Sequence, residues 1–342
     1  MTDRDHAGDR DHVAADITVD VRIDRADWAR HLADETARGL RDTPPWIPPV
    51  WFYDELGSKL FDEITRLPEY YPTEAERSIL RAHADEIAAV TGATTLAELG
   101  SGTSDKTTLL LDALHRAGTL GRIAPLDVSE EVLRDASRAL AARFPRTGVR
   151  AVVGDFHRHL DALAMDGTGL LAFLGSTIGN FEPADRAGFL ASVGRVLGDD
   201  DWFLLGTDLV KDPTRLVAAY DDPAGVTAAF NLNALSVMNA ELGADFDPDA
   251  FRHRAVWDGA AGRIEMHLVA IRSQVVRLSV LDLELRLEPG GHLRTEISTK
   301  FRPGQVADEL AAAGLRVERS WTDPAGDFLL TLARPRPRSV RR

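Results

Sequence analysis

The stretch LAELGSGTSDKTTLLLDAL, residues 96–114, carries the residue types best suited to holding a ligand. Gly100 through Thr107 follows the phosphate-loop spacing G-x-x-x-x-G-K-[ST] except at Asp105, where the second glycine belongs. A carboxylate there would face phosphate oxygens, so the loop makes a poor nucleotide cradle. Read as a dinucleotide turn, it has Gly100 and Gly102 but Ser104 and Asp105 where a third glycine is expected. S-adenosyl-L-methionine tolerates such acids, because it carries no phosphate and its sulfonium is cationic. Its parts are met in chain order. Glu98 precedes the glycines, Asp127 ends the next strand 25 residues beyond Gly102, and Asp155–Phe156 end the one after. Asp127 would accept from the ribose hydroxyls, Asp155 from the adenine amine, with Phe156 against the ring and Lys106 on the methionyl carboxylate. An acid ending a strand is by itself a cap or a solvated group; the ordered set favours this reading. His157 and His159 have no neighbouring carboxylate spacing that resembles a metal site, and no G-x-S-x-G elbow is present.

These residues need a sheet to bring them together, and the hydrophobic pattern supplies one. Short apolar strands at 94–99, 123–127, 149–155, 169–175 and 201–210 alternate with helical segments from about 105, 129 and 183. Ser129 is expected to cap the second of these helices, with Glu130 and Glu131 in its first turn. That rhythm predicts an α/β fold with a doubly wound, mostly parallel, Rossmann-like sheet. The rhythm then breaks: 211–245 reads as helical, and 252–300 as antiparallel strands with period two. A helix after Pro303 and a hairpin around TDPAG return to the first pattern. The domains expected are a disordered leader (1–17), a discontinuous cofactor domain (76–210 and 302–334), a substrate domain (18–75 and the insertion 211–301), and a basic tail (335–342).

Composition narrows the function classes. The 342 residues are 44% hydrophobic and 27% charged, a globular profile. Forty basic against 54 acidic residues give a net charge of −14, which argues against nucleic acid or an anionic membrane as partner. No cysteine is present, which excludes disulfides and thiol chemistry and fits a cytoplasmic protein. No membrane-length apolar run and no signal peptide are recognised. A monomer acting on a small molecule, with no metal, is the expectation.

Five further stretches carry a resemblance: WFYDELGSKLFDEITRLPEYYPTEAE (51–76), FLGSTIGNFEP (173–183), LLGTDLVKD (204–212), AYDDPAGVTAAFN (219–231) and TEISTKFRP (295–303). Together they resemble the histidine Nα-methyltransferase family of ergothioneine biosynthesis, from about residue 20 to 334. The resemblance implies three methyl transfers from S-adenosylmethionine to the α-amine of L-histidine, giving hercynine. It implies cofactor contacts at Gly100, Lys106, Asp127, Asp155 and Phe156. It implies substrate contacts at Tyr70, Asn180, Tyr220, Met266 and the strand Glu296–Ile297–Ser298. Asn180 and Tyr220 would hold the amino-acid backbone end, and Glu296 and Ser298 the imidazole. Glu296 and Ser298, two apart on a predicted strand, share a face. A neutral imidazole has one ring donor and one acceptor, which suit a carboxylate and a hydroxyl. Taken alone, E-x-S is an exposed polar strand face, Asn180 a helix cap before Pro183, and Met266 core filling. The alternatives are a methyltransferase of another small amine or amino acid, a non-catalytic adenosylmethionine sensor, and a P-loop nucleotide switch.

Overall fold

The computed structural model describes residues 16–100, 106–163 and 165–337. Strand β1 (Ile17–Val21) is followed by helices α1 (Arg25–Leu40), α2 (Glu55–Ile64) and α3 (Pro72–Thr91). An alternating stretch comes next: β2 (Thr95–Leu99), α4 (Thr107–Ala117), β3 (Arg122–Asp127), α5 (Glu130–Arg143) and β4 (Gly148–Val153). It continues through β5 (Gly169–Phe173), α6 (Pro183–Val196) and β6 (Trp202–Asp208). Helices α7 (Pro213–Tyr220) and α8 (Val226–Leu242) lead into β7 (Phe251–Asp258) and β8 (Arg263–Ala270). After them come β9 (Gln274–Leu278), β10 (Leu283–Leu287) and β11 (His292–Thr299). Helix α9 (Pro303–Ala312) and the hairpin β12 (Leu315–Thr322) and β13 (Phe328–Pro335) complete the described chain.

Eight strands form one sheet in the order β1-β4-β3-β2-β5-β6-β13-β12. The first six are mutually parallel, and the closing hairpin runs antiparallel against β6. β2 and β5 are buried along their whole length, as strands covered on both faces must be. Two apolar clusters line the faces of this sheet, one around Leu80, Leu111 and Phe328, the other around Phe173, Phe189 and Phe203. A third cluster gathers Leu32, Phe52, Tyr220, Phe230, Met238, Met266 and Leu293 from α1, α7, α8 and the strands β7–β11. The chain leaves the sheet after β6 and returns beside its own departure point. Phe301 N–H donates to Asp208 C=O at 2.7 Å and Val210 N–H to Phe301 C=O at 3.0 Å.

Three boundaries differ from the sequence reading. Residues 17–21 do not join the second unit but extend the main sheet, with Ile17 opposite Val149 and Val21 opposite Val153. Ile17, assigned to the leader, begins that strand, and Pro335, assigned to the tail, ends β13 opposite Leu315. Ser129 occupies the N-cap position of α5 without a capping side-chain bond; instead Asp127 Oδ1 accepts the Ser129 N–H at 3.0 Å.

Candidate active site

The carboxyl ends of β2, β3, β4 and β5 converge on one edge of the sheet, where ligands bind in open α/β folds. Gly100 takes φ 65°, a left-handed turn that glycine adopts without strain. A Cβ added to Gly100 would lie 3.9 Å from Phe156 Cε1, so the missing side chain keeps the approach to that ring open. Phe156 is braced by Phe173, Phe181 and Phe189 at centroid distances of 5.4 to 6.0 Å. Asp155 is buried, and its Oδ1 accepts the His157 N–H at 2.8 Å. His159 Nδ1 accepts the Asp155 N–H at 3.1 Å, which assigns this histidine to holding the loop. Gly102, Ser104 and Asp105 lie outside the described residues.

Lys106, expected to pair with the methionyl carboxylate, already has a protein partner. Its Nζ pairs closely with Glu76 of α3, a fully buried carboxylate that also accepts the Gly175 N–H at 2.9 Å. One ammonium hydrogen is therefore committed to the protein, and Lys106 is tied to the loop after β5. Ser176, next in that loop, takes φ 58°, and its Oγ accepts the Asp208 N–H at 2.9 Å. A non-glycine residue held in this conformation is a strained position of the kind that clusters at functional sites.

Across the opening lies a wall built from the third cluster. Tyr70 meets Tyr220 edge-on, ring centroids 6.1 Å apart. Met266 of β8 is directly opposite Glu296 of β11, at the end of a register shift between Arg294 and Glu296. Such an irregularity re-aims a strand's side chains. Glu296 and Ser298 share a strand face with each other; Ile297, between them, points to the other face and so brings only its backbone to the pocket side. Glu296 makes no side-chain hydrogen bond or ion pair among the described residues. Burial pushes its carboxyl up to about 7, partly opposed by the Lys300 charge. Tyr70 and Tyr220 are held as neutral phenols, chiefly by burial and then by nearby acidic groups. Asn180 closes a short 3-10 turn, Thr177–Asn180, and is half-buried. It does not cap α6, whose N-cap position is Glu182. Glu182 accepts from Arg263 and Arg294 at 2.9 Å each, which straps the Asn180 turn to β8 and β11.

Two features escaped the sequence reading. Tyr53 is 51% exposed, and its phenol is held neutral by burial first and then by Glu296, Asp127 and Tyr220. Both acids therefore lie within electrostatic reach of this ring. Its signal lay in the stretch WFYDELG, where a tyrosine follows two aromatics that are fully or nearly buried. The second feature is a buried ion network. Asp208 receives Lys211 at 2.5 Å, Lys300 at 2.8 Å and the Tyr71 hydroxyl at 2.7 Å. Asp208 and Lys300 are 92 positions apart and meet only because the chain returns beside β6.

A mostly parallel sheet carrying a glycine turn, acids at two strand ends and a braced aromatic ring fits a Rossmann-like, S-adenosylmethionine-dependent methyltransferase. The residues suit that cosubstrate: an open glycine turn, carboxylates at two strand ends and a braced ring. The chain belongs to the histidine-specific, SAM-dependent methyltransferase family, whose model matches residues 32–335. It is 55% identical over 305 residues to a histidine N-alpha-methyltransferase of Mycolicibacterium smegmatis, covering 89% of this chain and 95% of that one. A histidine N-alpha-methyltransferase of Mycobacterium tuberculosis is 54% identical over 307 residues, with 89% and 96% covered. A 4-dimethylallyltryptophan N-methyltransferase of Epichloe festucae var. lolii is 28% identical, with 90% and 96% covered. Among the described residues no group of three or more His, Asp or Glu is arranged to hold a metal, and no helix is long and apolar enough to cross a membrane.

Proposed function

We propose that this enzyme trimethylates the α-amine of L-histidine to give hercynine, a step of ergothioneine biosynthesis. The observation that carries the reading is Glu296, a carboxylate without a protein partner among the described residues, in a tyrosine-lined wall facing the cofactor edge. An unpaired buried carboxylate is costly unless a ligand completes it, and an imidazole N–H does so. The cosubstrate supplies an electrophilic methyl on a sulfonium. The chain's part is placement. Asp127, Asp155 and Phe156 would hold the adenosyl end, with Gly100 leaving it room and the remaining Lys106 hydrogens reaching the methionyl carboxylate. Glu296 and Ser298 would take the two ring nitrogens, Tyr220 and Asn180 the carboxylate end, and Met266 would line the ring's apolar side. Tyr53 and Tyr70, kept as phenols, would border the amine. Holding donor and acceptor in line converts a bimolecular encounter into a local one, which supplies most of the rate. No strong base is assigned; the amine proton would leave to solvent or a tyrosine-bound water.

The pocket wall would come from residues 22–75 and 211–301 acting as a substrate domain, with the sheet as the cofactor domain. A cytoplasmic monomer without nucleic-acid or membrane partners completes the reading, supported by the acidic charge and the lack of cysteine. Turnover on a panel of free amino acids, read by mass, tests the assignment. Successive gains of one, two and three methyls on histidine alone are expected. Preference for another amine would overturn it.

A further inference from the structure

We propose that Lys300 is a positioning residue that fixes the hydrogen-bond polarity of the Tyr220–Ser298 pair, so that Ser298 reads a neutral imidazole by its bare nitrogen while Glu296 reads its N–H. Lys300 is fully buried at its side chain. Its Nζ donates to Tyr220 Oη and Ser298 Oγ at 2.8 Å each and is ion-paired with Asp208 Oδ2 at 2.8 Å. An ammonium has no lone pair, so both hydroxyl oxygens must accept from it. Tyr220 Oη and Ser298 Oγ also lie 2.9 Å apart, so one donates to the other. Two hydroxyl hydrogens remain for one mutual bond. One hydrogen therefore lacks a protein acceptor among the described residues, and breaking the mutual bond on ligand arrival releases the second. Whichever hydroxyl donates, the pair turns one hydrogen outward, and three of its four lone-pair sites are filled.

The rest of the wall has the opposite polarity. Glu296 is two residues from Ser298 on the same face of β11 and, ionised, can only accept. Donors at one end and an acceptor at the other match the two nitrogens of a neutral imidazole. Without Lys300, the Ser298 hydroxyl could rotate to accept, and the imidazole end of the wall would no longer demand a bare nitrogen. Neighbouring groups hold Lys300 in place. Asp208 is held in turn by Tyr71 and Lys211, and Lys300 lies 4.5 Å from the centroid of the Tyr220 ring. His253 Nε2, within 2.8 Å of the Tyr220 carbonyl, fixes the backbone from which that ring projects.

This inference rests on the histidine reading, and the test separates the two. The probes are L-histidine, β-pyrrolylalanine (ring N–H only) and β-thiazolylalanine (bare nitrogen only), compared by kcat/KM. In Lys300→Met, efficiency on histidine and thiazolylalanine should fall about 10- to 100-fold while pyrrolylalanine changes little, because only the demand for a bare nitrogen has gone. Glu296→Ala should give the mirror pattern, sparing thiazolylalanine. A purely structural role for Lys300 would lower all three substrates by the same factor. That result, or no change at all, overturns the proposal. If Lys300→Met does not fold, the double variant Lys300→Met/Asp208→Asn removes this ion pair as a unit and leaves Lys211 its bonds to the Tyr71 hydroxyl and the Leu209 carbonyl, and the same ratios are expected of it. Absence of histidine turnover in the wild type takes down both readings, whereas uniform loss with intact wild-type turnover removes Lys300 alone.

Discussion

The two sides of the cleft are built on different principles. On the cofactor side the polar groups are already engaged by near neighbours. Asp127 accepts the Ser129 N–H, Asp155 the His157 N–H, and Glu98 the Thr107 hydroxyl, all within ten positions of chain. On the substrate side the tyrosines at 53, 70 and 220 and the acid at 296 arrive from four remote segments, and Glu296 has no protein partner among the described residues. A pre-satisfied site holds its shape without ligand, at the cost of weaker new bonds when the ligand arrives. An unsatisfied site carries a standing penalty that the ligand relieves, and so discriminates strongly. Tight local wiring suits a cosubstrate common to many enzymes, and a costly open carboxylate suits a particular substrate.

The joint between the two sides should be the most sensitive point. Asp208→Ala leaves Lys211 and Lys300 facing each other in the interior without their shared carboxylate. Removing one partner of a buried charge network costs about 3–5 kcal/mol. Denaturant unfolding should show that loss, and a change within 1 kcal/mol, roughly the worth of a surface pair, would mean that the network contributes no more than exposed charges do.

On the substrate side, Glu296→Ala should lower kcat/KM on histidine by about 10- to 150-fold, the equivalent of roughly 1.5–3 kcal/mol of charge-assisted hydrogen bonding. Affinity for S-adenosylhomocysteine should stay at the wild-type level, and preference over phenylalanine should shrink. Wild-type efficiency in this variant would break the contrast between the two sides. On the cofactor side, Asp127→Ala should weaken S-adenosylhomocysteine binding by about tenfold, the lower end for a charge-assisted bond, because one carboxylate oxygen already serves the Ser129 N–H. Calorimetry with circular dichroism as control reads this, and unchanged affinity would remove Asp127 from the ribose.

The same contrast explains what was legible in the sequence. The sheet from β2 to β6 was readable because each strand is a continuous apolar run and each turn has local chemistry. The acids at 127 and 155 were readable because they end such runs. The placement of ITVDV was not: five residues with little pattern of their own join the sheet only because the far edge of β4 was open. That Lys106 is also paired with the buried Glu76, 30 positions earlier, has no local signal. Tyr53 and Lys300 lay inside stretches that carried the resemblance, yet their neighbours are set by the chain's long excursion between Asp208 and Phe301. Positions 51–53 read simply as an aromatic run, and nothing within ten residues of Lys300 announces an ion pair with Asp208.

The smallest expected effect concerns the standing penalty itself. Glu296 has its folded-state value raised to about 7 by burial, above the ordinary 4.5 of the unfolded chain. The folded protein therefore binds this proton more tightly than the unfolded one, and the stability linked to it is lost as pH rises through about 7. Between about pH 6 and pH 8 the ligand-free protein should lose about 1 kcal/mol through this group, after allowing for its partial contact with solvent. Other groups titrate nearby, since burial depresses His253 and His267 and gives them the opposite slope. The informative quantity is thus the difference between wild type and Glu296→Gln, in which those histidines are common. That difference should grow with pH across the window and shrink when histidine is added together with S-adenosylhomocysteine, because an imidazole N–H stabilises the ionised carboxylate. A flat difference would mean that Glu296 is ionised and compensated in the empty pocket, and the contrast between an open and a pre-satisfied side would lose its energetic basis.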